Sequence, residues 1–471
     1  MFFKKNIFRT CKMKQIDFSN GKTAQNIFLA AFPMLVAQVL NLMYNIVDRI
    51  YIGRIPGEGV TALGGVGVCF PLITVITAFT NLYGVGGAPL CSIERGRRNL
   101  KGAQDIMNTS FILLVGTAVV LTLTGEIFCR PVLYLFGASD TTIVYAEPYM
   151  RIYLAGTVFS MVSLGLNPFI NSQGFSSVGM MTVFIGAAAN IVLDPIFIFL
   201  FGMGVSGAAL ATILSQLLSA IFVLRFLTSD TAELKLDLRG GVNLKLSTVK
   251  NIIGLGVSSF VMQVNNSLIQ VVNNNVLGSF GGDMYISAMT IINSVRQILD
   301  TPALAITDGA SPVLSYNYGA GKYKDVKKAV FLVTGATLGY TGIVWLLIFL
   351  FPVFFISIFN SDSSLLSVAV TSMHTYFFAY IFQALQFSGQ MVFKSLGKKK
   401  QTIFFSILRK VIIVVPLTII LPHVAGLGAR GVFMAEPVSN VVGGTACFTA
   451  MLLMIMPELN KKKERNAQNT L

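Results

Sequence analysis

Charge is what this chain has least of. Only 12% of its 471 residues are Asp, Glu, Lys or Arg, against about 25% in soluble domains, and 54% are hydrophobic. That balance excludes a soluble globular enzyme. Histidine is nearly missing: His374 and His423 are the two present, too few for a multi-histidine metal centre. The five cysteines, Cys11, Cys69, Cys91, Cys129 and Cys447, are scattered through apolar stretches without disulfide or zinc spacing. No G-x-x-x-x-G-K-[ST] loop is present for ATP, no H-E-x-x-H motif, and no paired nucleophile and base. No ring-forming filter sequence suggests a channel. Short alternating segments of the β-barrel kind are missing as well. These absences leave an all-α polytopic membrane protein that is not an enzyme, needs no cofactor, and draws on an ion gradient.

What is present is a series of apolar runs. A bilayer core of about 30 Å is crossed by roughly 20 helical residues, and twelve such spans are expected at about 26–50, 60–86, 104–125, 143–167, 177–200, 205–226, 250–277, 284–312, 326–350, 364–391, 402–421 and 430–456. The net charge of +15 does not read as nucleic-acid binding, because the basic residues gather in alternate gaps. Arg95, Arg97, Arg98 and Lys101 follow the second span, Lys398, Lys399 and Lys400 the tenth, and Lys461, Lys462, Lys463 and Arg465 end the chain. By the positive-inside rule both termini are cytoplasmic. The basic start leads into a first helix of spanning length, not into a cleavable signal.

The two halves repeat. Gly87-Ala-Pro89-Leu-Cys-Ser92 lines up with Ala310-Ser-Pro312-Val-Leu-Ser315, Gly202-Met-Gly204-Val-Ser-Gly207 with Gly426-Leu-Gly428-Ala-Arg-Gly431, and Ser215-Gln216 with Ser439-Asn440. The offset stays near 223–225 residues. The expected architecture is therefore two parallel six-helix lobes around a central cavity. Its parts are an N-terminal cytoplasmic segment 1–25, an N-lobe 26–227, a linker 228–249, a C-lobe 250–456 and a basic tail 457–471. Internal repeats with a site between or within the halves are common among secondary transporters.

Two polar patterns interrupt the apolar background. The first span carries Gln38, Asn41, Asn45 and Asp48 at spacings of three and four, which is one helical face, with Tyr44 four residues before Asp48 and Pro33 able to bend the helix. The fifth span carries Asn190-Ile-Val-Leu-Asp194-Pro195, in which Asn190 and Asp194 share a face and Pro195 withholds a backbone donor. An ionised aspartate at such depth is costly, and such residues mark ion or substrate pathways. Plainer roles exist for both: Asp194 as a helix-end residue, and Asp48 as one half of an interfacial pair with Arg49.

With these residues, the Gly-Ala-Ala-Leu-Ala-Thr of the sixth span and the loop Leu82-Tyr-Gly-Val-Gly-Gly, the chain resembles the MATE family of multidrug and toxin extruders, in the MOP exporter superfamily. The resemblance runs from Pro33 to the twelfth span and is strongest to the MepA-type and DinF-type bacterial branches. It implies a cation-coupling site in the N-lobe at Asp48, Asn190, Asp194 and Thr212 with Tyr44 nearby, able to take H⁺ or Na⁺. Two carboxylates in one poorly hydrated pocket cannot both ionise cheaply, which suits that role. The repeat offset places about Asn273, about Leu417 and Glu436 opposite Asp48, Asp194 and Thr212. The seventh span offers only Asn265, Asn266 and Asn273, and the tenth offers Gln383 where another MATE branch has an acid, so coupling is assigned to the N-lobe.

Gln38, Asn41, Asp300 and Glu436 are weaker candidates for a substrate cavity, with Asp308 beside them. Arg296 is expected to pair with Asp300 at the i, i+4 spacing. The reading is a multidrug antiporter of the bacterial cytoplasmic membrane, monomeric in the bilayer, exporting amphipathic, cationic drugs or metabolites in exchange for H⁺ or Na⁺. A lipid-linked saccharide flippase is the nearest alternative, set lower because basic residues cluster in loops and not in the spans. A non-transporting membrane scaffold is the alternative from another class.

Overall fold

The protein is described from a computed structural model, which covers residues 15–237, 245–358, 363–424 and 426–468. These residues are helical with no strand among them. Twelve segments follow in order. In the first half they are α1 (Thr23–Gly53), α2 (Gly59–Gly96), α3 (Leu100–Leu135), α4 (Ile143–Ala155 and Thr157–Ser172), α5 (Ser176–Pro195, continued by a π turn Ile196–Leu200) and α6 (Gly204–Leu227). The second half has α7 (Leu246–Gly282), α8 (283–319), α9 (Tyr323–Leu350), α10 (Leu365–Phe377 and Tyr380–Ser395), α11 (Lys399–His423) and α12 (Ala429–Gln468). The two parts of α4 meet at 58° and those of α10 at 43°.

Counting each bent pair as one, eleven of these segments are long and apolar enough to cross a membrane. The remaining one is α8, where Arg296, Asp300 and Asp308 lower the hydropathy. It continues from α7 through Gly282, whose φ of 67° and ψ of −167° break the helix in a conformation that only glycine adopts readily. Observed helices overrun the expected spans, most of all α3, which continues through Pro131 to Leu135.

The repeat is visible in the backbone. Gly202 and Gly204 have φ of 64° and 54°, and their mates Gly426 and Gly428 have 71° and 51°. A Cβ on Gly207 would lie 2.7 Å from the Phe197 carbonyl carbon, and one on Gly431 would lie 2.6 Å from that of Leu421. Glycine is thus required twice, where α6 and α12 turn back against the helix before them. Arg98, φ 62°, is the only non-glycine residue with positive φ among the described residues, and its mate is Gly321, φ 72°.

The chain forms two compact units. One comprises Met1–Asp17 and Phe32–Phe260, the other Phe18–Ala31 and Val261–Leu471. Each has its own apolar core: Met107, Leu114, Leu166 and Phe169 are at the centre of the first, and Ile292, Ile348, Phe377 and Phe433 at that of the second. The starts of α1 and α7 are exchanged between them. In the first unit Gly256 of α7 sits so close to α2 that a Cβ would be 1.8 Å from the Leu82 carbonyl oxygen. In the second, Gly309 of α8 meets α1, and its Cβ would be 2.3 Å from Ala31 Cα. These two contacts occupy equivalent positions in the repeat.

The described start of the linker is held on the first unit. The Leu234 amide donates to Gln173 Oε1 at 2.8 Å, Asn108 Nδ2 to the Asp237 carbonyl at 2.7 Å, and Gln104 Nε2 to the Lys235 carbonyl at 2.8 Å. Buried Arg95 pairs with Glu233. Residues 1–14 of the N-terminal segment, 238–244 of the linker and 469–471 of the tail lie outside the described residues, as does the side chain of Asn266.

Candidate functional site

α5 is a run of small and apolar residues in which Asn190 and Asp194 are the polar exceptions. Both are buried, Asp194 completely, which removes the plain helix-end role for Asp194. Its carboxyl is in hydrogen-bonding reach of that of Asp48 on α1. Asn190 Nδ2 donates to Asp194 Oδ1 at 3.1 Å and to Thr212 Oγ1 on α6 at 3.4 Å. Asp48 makes no ion pair with Arg49, whose guanidinium lies over the Phe70 ring at 4.6 Å. Three helices therefore bring Asp48, Asn190, Asp194 and Thr212 together.

Beside them is a cavity of about 20 Å³, lined by Asn41 and Tyr44 of α1, Ser163 of α4, Gly186 and Asn190 of α5, and Thr212, Ser215 and Gln216 of α6. It has room for about one water. Gly186 keeps it open, since a Cβ there would lie 2.5 Å from Ser219 Oγ. Asp48 Oδ1, Asp194 Oδ2, Asn190 Oδ1 and Gln216 Oε1 are buried with no hydrogen-bond partner among the described residues. Buried acceptors are normally satisfied. Four orphaned oxygens and a carboxyl pair with no salt bridge among the described residues fit a proton or a small hard cation, which takes oxygen ligands.

Of the other sequence candidates, Asn41 lines the cavity, whereas Gln38 is half-buried on α1 and does not. Pro33 is buried within an unbroken α1, two residues beyond the division between the units at Ala31 and Phe32. Tyr149 and Tyr153 of α4 were not anticipated. Their rings stack at 6.3 Å and 16°, Tyr149 next to Asp48 and Tyr153 next to Tyr44. Their i, i+4 spacing was a usable signal of a shared face.

The second unit is built differently at the matching positions. Thr418, not Leu417, meets Asn273, donating to its Oδ1 at 3.4 Å, so a neutral pair stands where the first unit has two acids. Asp300 pairs with Arg296 at 3.2 Å, and Glu436 with Arg409 at 2.6 Å. Both acids proposed for a substrate cavity are thus engaged by cations. The reading that basic residues keep to the loops is corrected here: Arg296 lies within α8, and Arg409 and Lys410 are at the middle of α11. All three meet Glu436 of α12, a residue on another helix, which loop counting overlooks.

The MatE family profile matches residues 33–196 and 258–420, one match in each half, starting 225 and ending 224 residues apart. The chain belongs to the MatE family. MatE members are transporters, not enzymes, and this chain is a multi-pass membrane protein of the MATE multidrug efflux transporter family. Among its relatives, the multidrug export protein MepA of Staphylococcus aureus is 22% identical over 432 residues, covering 90% of this chain and 92% of the relative. The probable multidrug resistance protein YpnP of Bacillus subtilis is 22% identical over 438 residues, covering 93% and 96%. In fold, the chain superposes on an outward-facing MATE transporter with a TM-score of 0.88 at 24% identity, over 95% of this chain and 99% of that one. A MOP superfamily transporter from Pyrococcus furiosus gives 0.88 at 23%, over 96% and 99%.

Proposed function

We propose that the protein is a secondary active antiporter that exports amphipathic, cationic small molecules in exchange for H⁺ or Na⁺. It works as a monomer in the bacterial cytoplasmic membrane with both termini inside. The observation that carries the reading is the carboxyl pair Asp48–Asp194 in the first unit, Asp194 fully buried and Asp48 half-buried, with no salt bridge to either carboxylate among the described residues. Similarity to export proteins named for multidrug transport supports the substrate class.

The chemistry follows from that pair. A proton shared between the two carboxyls, or a Na⁺ held by them with Asn190, Thr212 and Gln216, removes a repulsion that hydrocarbon surroundings would otherwise magnify. Loading draws α1 toward α5, and α1 is the helix that crosses between units beside Pro33. Ion and drug therefore favour different shapes of α1, and linkage requires each to weaken the other's binding. The experiment is dye efflux from proteoliposomes, with pH and Na⁺ gradients imposed separately. Wild type should export on one gradient and the Asp194→Asn variant on neither. Full efflux by correctly folded Asp194→Asn protein would overturn the assignment.

A further inference from the structure

The second unit holds a charged cluster that the coupling reading leaves unused. Glu436 Oε1 accepts from Arg409 at 2.6 Å, from Arg296 at 2.8 Å and from Lys410 at 3.3 Å. Asp300 is taken by Arg296 at 3.2 Å, the Tyr380 hydroxyl at 2.9 Å and the Gln383 amide at 3.1 Å. Three cations against two anions leave one positive charge in excess among the described side chains. Arg409 Nε is buried and donates to nothing among them. Lys410 contacts only a carboxylate that two guanidiniums already occupy, at 3.3 and 3.5 Å.

Arg409 and Lys410 lie at the centre of the 25-residue span Lys399–His423, where an unbalanced charge is costly in hydrocarbon. The cluster is not sealed, since the Arg296 and Lys410 side chains keep 15% and 12% of their exposure. At the 224-residue offset Lys410 stands where the first unit has Gly186, a wall of its cavity. The two units thus carry polar sites of opposite sign at matching depth in the repeat.

We infer that Arg409, Lys410 and Arg296 form a binding site for an oxyanion, the carboxylate or phosphate group of an amphipathic molecule. Guanidinium and ammonium donors suit both groups through charge-assisted hydrogen bonds. The bound oxyanion supplies the missing negative charge, accepts from Arg409 Nε and gives Lys410 a partner of its own. The site extends the range of ligands from cations to anions and zwitterions. It rests on the transport reading only for the step in which the bound molecule is carried.

The test is binding of carboxyfluorescein to the full-length protein in nanodiscs of zwitterionic lipid, read by anisotropy. Decanoate, decyl phosphate and decyltrimethylammonium serve as competitors. Wild type should bind the dye and release it to decanoate or decyl phosphate but not to the ammonium, and the stronger of the two anions names the group. Lys410→Met should weaken binding at least tenfold, Lys410→Arg should retain it, and Glu436→Gln, which enlarges the positive excess, should tighten it. Wild type that binds no dye, or a Lys410→Met variant that binds it equally well, would overturn the inference. If Lys410→Met does not fold, loss of binding in a folded Glu436→Gln variant overturns it instead. No gradient enters this measurement, so a failure of the coupling assignment at Asp194 leaves its result intact.

Discussion

Asn190 is the residue through which the proposed ion site can be measured without removing a carboxylate. It donates to Asp194 Oδ1 at 3.1 Å and to Thr212 Oγ1 at 3.4 Å from a buried position. A hydrogen bond to a charged group contributes about 1.5–3 kcal/mol, and about 1.4 kcal/mol is a tenfold change in affinity. Asn190→Ala should therefore move the midpoint of efflux against driving-ion concentration by roughly one to two decades. Thr212→Val removes only the hydroxyl at 3.4 Å, beyond the usual range of a strong bond. At about 0.5 kcal/mol the midpoint should move roughly twofold. The assay is dye efflux from proteoliposomes over a series of ion concentrations, with thermal unfolding as the check on folding. Equal shifts for the two variants, or no shift in Asn190→Ala, would refute the argument that Asn190 tunes the carboxyl pair.

Other perturbations test the scaffold. Gly256→Ala places a Cβ 1.8 Å from the Leu82 carbonyl oxygen, an immovable backbone atom, whereas Gly116 has nothing within 4 Å. The first substitution should lower the midpoint of thermal unfolding by an amount equivalent to about 1–3 kcal/mol, and Gly116→Ala should not lower it at all. Arg98 holds a φ of 62° that costs a non-glycine residue about 1–2 kcal/mol, so Arg98→Gly should raise that midpoint, and a lower one would show that the residue is not strained. Glu233→Ala leaves the buried Arg95 guanidinium without its carboxylate. The loss in thermal unfolding should be about 1–3 kcal/mol, toward the lower end because Glu233 is partly exposed and solvent screens the pair.

Local spacing made part of the site legible and tertiary contact supplied the rest. Asn190 and Asp194 share a face by arithmetic, and so do Arg296 and Asp300, whose i, i+4 pairing the structure contains. That Asp48 would meet Asp194, 146 positions away, follows from no periodicity and rested on the family resemblance. The Tyr149–Tyr153 stack had a readable spacing, but nothing in α4 told which of its faces would turn toward α1. Arg409 and Lys410 were passed over because they follow a basic loop closely and because Glu436, their partner, lies on another helix. Twelve spans were expected, and among the described residues up to eleven segments are long and apolar enough to cross a membrane. The Gly281-Gly282 pair marks where α7 ends, and α8, expected at 284–312, is more polar than the other eleven segments.

The exchange of the starts of α1 and α7 between the units bears on how the protein can be divided. Cutting the chain at the linker would not release two self-sufficient halves. The first would lack the Gly256 segment that fills the groove along α2, and would present residues 23–31 with no α8 to receive them. The second would be incomplete in the mirrored way. This is the connectivity of a swapped dimer whose two subunits have been joined end to end. Either half expressed alone should be degraded or should pair with a copy of itself, while the two halves made together should reassemble, each supplying the stretch of helix that completes the other.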